Sequence, residues 1–254
     1  MEYVKGICLF LAVFSVMPLS GVHGRAIAEN ADSPSRATII TNVYATAYYC
    51  VYNSELAGTQ TITRTISNTT YTLKASFLFG GWGAAMQGTG RTGPGGDYIK
   101  YTGGAGCFVR LTGPDAGRNL EGQWVINPKV LRSRYARLGI TDFTGFGNLA
   151  LLFPDSATYL RQSLVTGSMG QPLTPWLSIS TDSSLIPPGQ TCTLVFNNGT
   201  TTPSGGTSAN FKVQDTGHSI NGKHIDIYLG EGQSAIDKWN RTGGNRFVDI
   251  YPVR

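Results

Sequence analysis

The sequence predicts a mainly β protein with a small closed barrel in its C-terminal part, a β-rich lobe ahead of it and a few short helices. Composition is the first reason. Only 14% of the 254 residues are charged and glycine occurs 33 times, while Thr, Ser, Tyr and Val gather in short bursts divided by Gly, Pro and Asn, as strands and turns require. The second is the spacing after Pro172, where short β-branched or aromatic runs follow one another with turn residues between them. Such a series protects its edges most simply by closing on itself.

At the N-terminus, Met1-Glu2-Tyr3-Val4-Lys5 precedes an apolar run from Gly6 to Leu19 and then small residues ending at Gly24 or at Ala26-Ile27-Ala28. These are the three regions of a secretory signal peptide, and the apolar run is short for a bilayer span. Residues 1–28 are therefore expected to be removed, and polar, aperiodic residues 29–40 to form a flexible leader. The expected product is a secreted monomer, extracellular or periplasmic, with no membrane span. It loses Glu2, Lys5 and Arg25 and stays mildly basic, suited to weak attraction to anionic walls.

Cys8 leaves with the signal, so Cys50, Cys107 and Cys192 remain. An odd number in an oxidising compartment permits one disulfide and one thiol, with Cys50–Cys107 preferred because both lie in the N-terminal half. Beyond the signal only His218 and His224 are histidines, and no Cys-x-x-Cys occurs, so no metal site is expected. Neither a dinucleotide fingerprint nor a phosphate loop is present, which argues against a cofactor. Scattered basic residues argue against nucleic acid as a partner. Asn68, Asn198 and Asn240 each begin an Asn-x-Thr sequon.

Residues 41–171 make the N-terminal β-rich lobe, placed so that it can contribute to the barrel and its groove. Strands are expected over 42–52, 59–65 and 70–79, all rich in β-branched and aromatic residues. Glycine-rich stretches over 80–83 and 88–96 bracket Met86-Gln87, giving backbone freedom where a loop approaches a ligand or simply turns. Pro128 marks the first turn of a helix running through Leu131 to Leu138, and a second short helix is expected over 156–164.

Residues 172–254 make the barrel, with strands expected over 176–180, 191–196, 210–214, 224–229 and 247–253. Within it, Asp215-Thr216-Gly217-His218 leads through Gly222 to His224-Ile225-Asp226-Ile227-Tyr228. Alternation along a strand sets Ile225 and Ile227 on one face and His224, Asp226 and Tyr228 on the other. Asp226 is thus a carboxylate between an imidazole and a phenol.

Together with Ser180-Thr181-Asp182 and Leu185-Ile186-Pro187-Pro188-Gly189, this stretch resembles the three-aspartate (3D) domain shared by the membrane-bound lytic transglycosylase A family and smaller wall-remodelling proteins. Ala85-Met86-Gln87-Gly88-Thr89-Gly90, followed by Tyr98-Ile99-Lys100-Tyr101, is similar to a Gln-Gly-Ser-Gly segment of the same family. The resemblance implies a double-psi β-barrel and a lytic transglycosylase cleaving the bond between N-acetylmuramic acid and N-acetylglucosamine in peptidoglycan, leaving 1,6-anhydro ends. It assigns catalysis to Asp226 as the single acid and base, with Asp215 raising its pKa as a neighbouring carboxylate and Asp182 in support. Substrate contacts are expected from Gln87, Gly88, Thr89, Tyr101, Thr216, Gly217, His218 and Tyr228; Trp82, Tyr101 or Trp239 could stack on pyranose faces, although a single aromatic is more often packing surface. His218 departs from the family, which usually has glycine there.

Two other readings fit the same barrel. One is a polysaccharide-binding wall protein similar to expansins, without catalysis. The other is a glucan or chitin hydrolase in which Asp215 or Asp182 acts as the base opposite Asp226.

Overall fold

In the computed structural model, residues 38–197, 206–217 and 220–253 are described. The signal and cleavage region, most of the leader, Asn198 and His218 lie outside them.

The chain opens with the long strand β1 (Ile40–Tyr52). A hairpin follows, β2 (Thr61–Ile66) and β3 (Thr69–Lys74). Its two-residue turn, Ser67-Asn68, has φ of 48° and 64°, the doubly left-handed turn that matches strand twist. Next come α1 (Ala75–Phe79), α2 (Ala84–Gln87), β4 (Thr89–Arg91), β5 (Tyr98–Gly103) and β6 (Phe108–Arg110). The strand expected over 70–79 therefore ends at Lys74. Phe77, Leu78 and Phe79 are buried on every side, and an unbroken apolar run does not distinguish a buried helical turn from a strand.

Helix α3 (Pro128–Arg137) begins as expected, with Pro128 in its first turn and the Asn127 side chain accepting from the Lys129 N–H at 2.9 Å. After β7 (Leu149–Leu151), residues expected to be helical form the strand β8 (Thr158–Gln162). Pairing with β5 decides this: Tyr101 and Tyr159 are directly opposite, with ring centroids 5.6 Å apart.

The barrel region supplies β9 (Ser178–Thr181), β10 (Thr191–Phe196), β11 (Ser208–Asp215) and β12 (His224–Glu231). Helix α4 (Gln233–Arg241), not anticipated from sequence, precedes β13 (Arg246–Pro252). Its signal is the spacing of Ala235, Ile236 and Trp239, which share one helical face.

Six strands close in the order β12-β9-β11-β10-β13-β1, with β1 returning to β12. Two pairs, β1–β12 and β9–β11, are parallel, and the other four in the ring are antiparallel. Its interior is apolar, packed by Val43, Ala45, Ile179, Phe211, Ile225 and Ile227. Past an irregularity between Tyr48 and Cys50, β1 leaves the barrel and pairs with β4, which continues through β5 to β8. One strand thus belongs to both halves of the molecule.

A charged clamp reinforces this junction. Arg91 on β4 donates to Glu231 on β12 at 2.6 Å, and its guanidinium lies 4.4 Å from the Tyr98 ring centroid. The Tyr52 hydroxyl donates to Glu231 at 3.1 Å, and the Tyr98 hydroxyl also donates to it.

The expected Cys50–Cys107 bridge does not form. Cys50 is held by the β1–β12 pairing and packs with Tyr228 and Val165, whereas Cys107 precedes β6 in the other half. Burial pushes the Cys50 thiol far up and the Cys192 thiol up to about 12, so both are poor nucleophiles.

Candidate active site

A cavity of about 960 Å³ opens between one wall of the barrel and the lobe. Tyr48, Ser180, Asp215, Asp226 and Tyr228 line it from the barrel, and Gln87, Thr89, Lys100 and Tyr101 face them from the lobe.

Asp226 reaches the cavity because β12 alternates as expected: Ile225 and Ile227 are fully buried in the barrel interior, and Asp226 points the other way. On the neighbouring strand Thr46 is its register partner, and the Thr46 hydroxyl donates to Asp226 Oδ1. His224 Nε2 lies 2.7 Å from the same hydroxyl oxygen. The Asp226 carboxyl is pushed up to about 6, first by burial; the Thr46 hydrogen bond opposes that rise and the Asp215 charge adds to it. The sequence suggested Asp215 as the main cause, whereas removal from water outweighs it.

Asp215 owes its direction to a bulge. Strand β11 pairs with β9 through Val213↔Ile179 and then Asp215↔Ser180, so one extra residue is inserted between them. Val213 stays in the core while Asp215 joins Ser180 on the cavity face. Three donors then fix its carboxylate: the Tyr48 hydroxyl at 3.0 Å, Ser168 N–H at 2.7 Å and Thr216 N–H at 2.9 Å. Tyr48 packs against Tyr228 at 5.4 Å, and burial followed by the Asp215 charge raises its pKa well above the ordinary phenol value.

Gln87, Gly88, Thr89, Tyr101, Thr216, Gly217 and Tyr228 also line the cavity. Gln87 Oε1 accepts from Tyr49 N–H at 3.2 Å, tying α2 to β1 where β1 is irregular. Asp182 does not line the cavity. It builds the turn after β9, accepting from Ser184 N–H and Oγ–H and from Gly222 N–H, all at 2.8 Å. Those bonds, Gly222 first, hold its carboxyl below the usual range. Trp239 is 1% exposed inside the fold and Trp82 is 55% exposed, but neither lines the cavity.

Thr46, Tyr48, Ser168 and Lys100 escaped sequence reasoning as residues that build the candidate site. The first two sit on the same alternating face of β1, a usable signal once β1 is known to flank β12. Lys100 donates to Thr166 Oγ1 at 3.1 Å and to Gly167 O at 3.2 Å. It thereby secures the segment whose Ser168 N–H meets Asp215. Among the described residues, no helix is long and apolar enough to cross a membrane.

Residues 177–252 match the 3D domain family, the segment for which the sequence resemblance was strongest. No curated protein matched the chain. Similar solved structures include Escherichia coli MltA with bound chitohexaose, at 20% identity and TM-score 0.48, covering 84% of this chain and 72% of that one. A membrane-bound lytic murein transglycosylase from Agrobacterium tumefaciens aligns at 17% identity and TM-score 0.48, over 83% and 73% of the two chains. The lytic transglycosylase LtgG of Burkholderia pseudomallei aligns at 18% identity and TM-score 0.43, over 84% and 73%.

Proposed function

We propose that this protein is a secreted lytic transglycosylase, binding a peptidoglycan strand in its cavity and cleaving it with Asp226 as the only acid and base. The observation that carries the reading is a carboxyl raised to about 6 on the cavity face of a 3D-domain barrel. Near neutral pH about one molecule in ten then holds the proton, with a pKa close enough to the working range for efficient transfer.

Asp226 gives its proton to the glycosidic oxygen, and the bond from that oxygen to the muramyl anomeric carbon breaks. Negative charge on Asp215, aimed into the cavity by its three donors, stabilises the developing oxocarbenium ion. The muramyl 6-hydroxyl then attacks the anomeric carbon and returns its proton to Asp226. A 1,6-anhydro ring closes and no water is consumed.

The test is mass analysis of products from purified sacculi. Anhydro-muropeptides are expected from the wild type and none from Asp226→Asn; products carrying only free reducing ends would indicate hydrolysis instead. The variant's fold is checked at the same time by its melting temperature. A carboxyl whose folded pKa is raised binds more protons folded than unfolded, so its ionisation removes stability as pH climbs from about 4 to about 6. Asp226→Asn is expected to melt higher than wild type at pH 7, with the gain fading below pH 4.

A further inference from the structure

Among the described residues, only two buried side-chain polar atoms lack a hydrogen-bond partner, Arg118 Nε and Ser180 Oγ. Arg118 Nε still has Asp115 at 3.6 Å as an ion-pair partner. Ser180 has nothing comparable, although its residue is only 2% exposed. Its neighbours on β9 are fully provided for: Ser178 Oγ donates to Gln214 Oε1 at 2.6 Å and Thr181 Oγ1 donates to Ile186 O at 2.9 Å. A buried hydroxyl without a partner lowers stability, and alanine would fill the same space without that penalty.

Its position suggests why it is a serine. Ser180 is the register partner of Asp226 on one side and of Asp215 on the other, and Thr46 is the register partner of Asp226. Asp215, Ser180, Asp226 and Thr46 therefore form one row across β11, β9, β12 and β1. Adjacent strands lie about 4.8 Å apart, so the Ser180 hydroxyl stands between the two carboxylates, on the cavity lining. Gly217 packs close to it: a Cβ there would lie 3.3 Å from Ser180 Oγ and 2.5 Å from Ile220 Cγ1, so a side chain at 217 would crowd the hydroxyl.

Carboxylates in their ionised form only accept hydrogen bonds. A sugar oxygen settling over this row needs a donor, and between Asp215 and Asp226 Ser180 supplies it. We propose that Ser180 Oγ–H donates a hydrogen bond to an oxygen of the sugar seated beside the cleaved bond, so that Ser180 positions the substrate against Asp226. The proposal deepens the lytic transglycosylase reading and rests on the cavity being a glycan site.

Calorimetric titration of chitohexaose tests it, using Asp226→Asn protein to prevent turnover and comparing it with Asp226→Asn/Ser180→Ala. Loss of the Ser180 bond is expected to weaken binding about tenfold, the equivalent of ~1.4 kcal/mol. The melting temperature of the double variant is expected to stay level or rise, which separates a ligand-facing hydroxyl from a structural one. Equal affinity overturns the inference, and so does a melting temperature several degrees lower. Absence of chitohexaose binding to either protein overturns it as well. The function itself fails separately, when the wild type releases nothing from sacculi even though the sugar binds.

Discussion

At the scale of single residues, the proposed chemistry turns on how Asp226 holds its proton. Alternation in His224-Ile225-Asp226-Ile227-Tyr228 was enough to place that carboxylate opposite the barrel core. It was silent about Thr46, a hydrogen-bond partner 180 positions away. A hydroxyl donating to a carboxylate favours its ionised form, so Thr46 restrains the rise that burial imposes. Cleavage by an acid with a pKa of about 6 should decline along an alkaline limb centred there. Thr46→Val should move that limb to higher pH by roughly half to one unit, read from the pH profile of kcat/KM. An unmoved limb would mean that Thr46 does not tune the acid. Asp182 belongs to the three-aspartate pattern too, and its bonds make it the architect of a turn, a role that its place before Ser183-Ser184 already allowed.

Among elements, those with strong local signals were legible. The Asn127-Pro128 start of α3 and the five strands of the C-terminal region follow from capping and alternation alone. Strand β8 did not, because its conformation is set by β5 rather than by its own residues. The bulge in β11 was equally invisible, although it alone turns Asp215 towards Ser180 and away from Val213. The clamp between β4 and β12 illustrates what such non-local features contribute. Burial pushes the Glu231 carboxyl up, but hydrogen bonds from Tyr98, Arg91 and Tyr52 outweigh it and leave it below the ordinary range. Arg91→Ala leaves that carboxylate short of its cation in a partly buried place, which should destabilise the fold by about 1–3 kcal/mol in denaturant titration at pH 7. Since a lowered carboxyl pKa stabilises only while the group is ionised, the gap between wild type and variant should narrow as pH falls through the folded pKa of Glu231.

For the molecule as a whole, the barrel is assembled from distant parts of the chain. The 3D-domain match covers β9 to β13, whereas the strand that lies between β12 and β13 is β1. A fragment of residues 172–254 should therefore lack a cooperative melting transition and dispersed amide spectra, and fusing residues 40–52 to it should restore both. A well-folded fragment would show that five strands suffice. The same topology bears on how the protein is made. Strand β1 leaves the ribosome first, but its barrel partners follow about 180 residues later, a wait of roughly 10–40 s at ordinary elongation rates. Throughout that interval Val43 to Cys50 is an uncharged, aromatic-rich segment without its barrel partners, the kind of sequence that seeks other chains. Slow closure of such long-range contacts makes the nascent protein a client for holding chaperones, and its yield should depend on them more than its final stability would suggest.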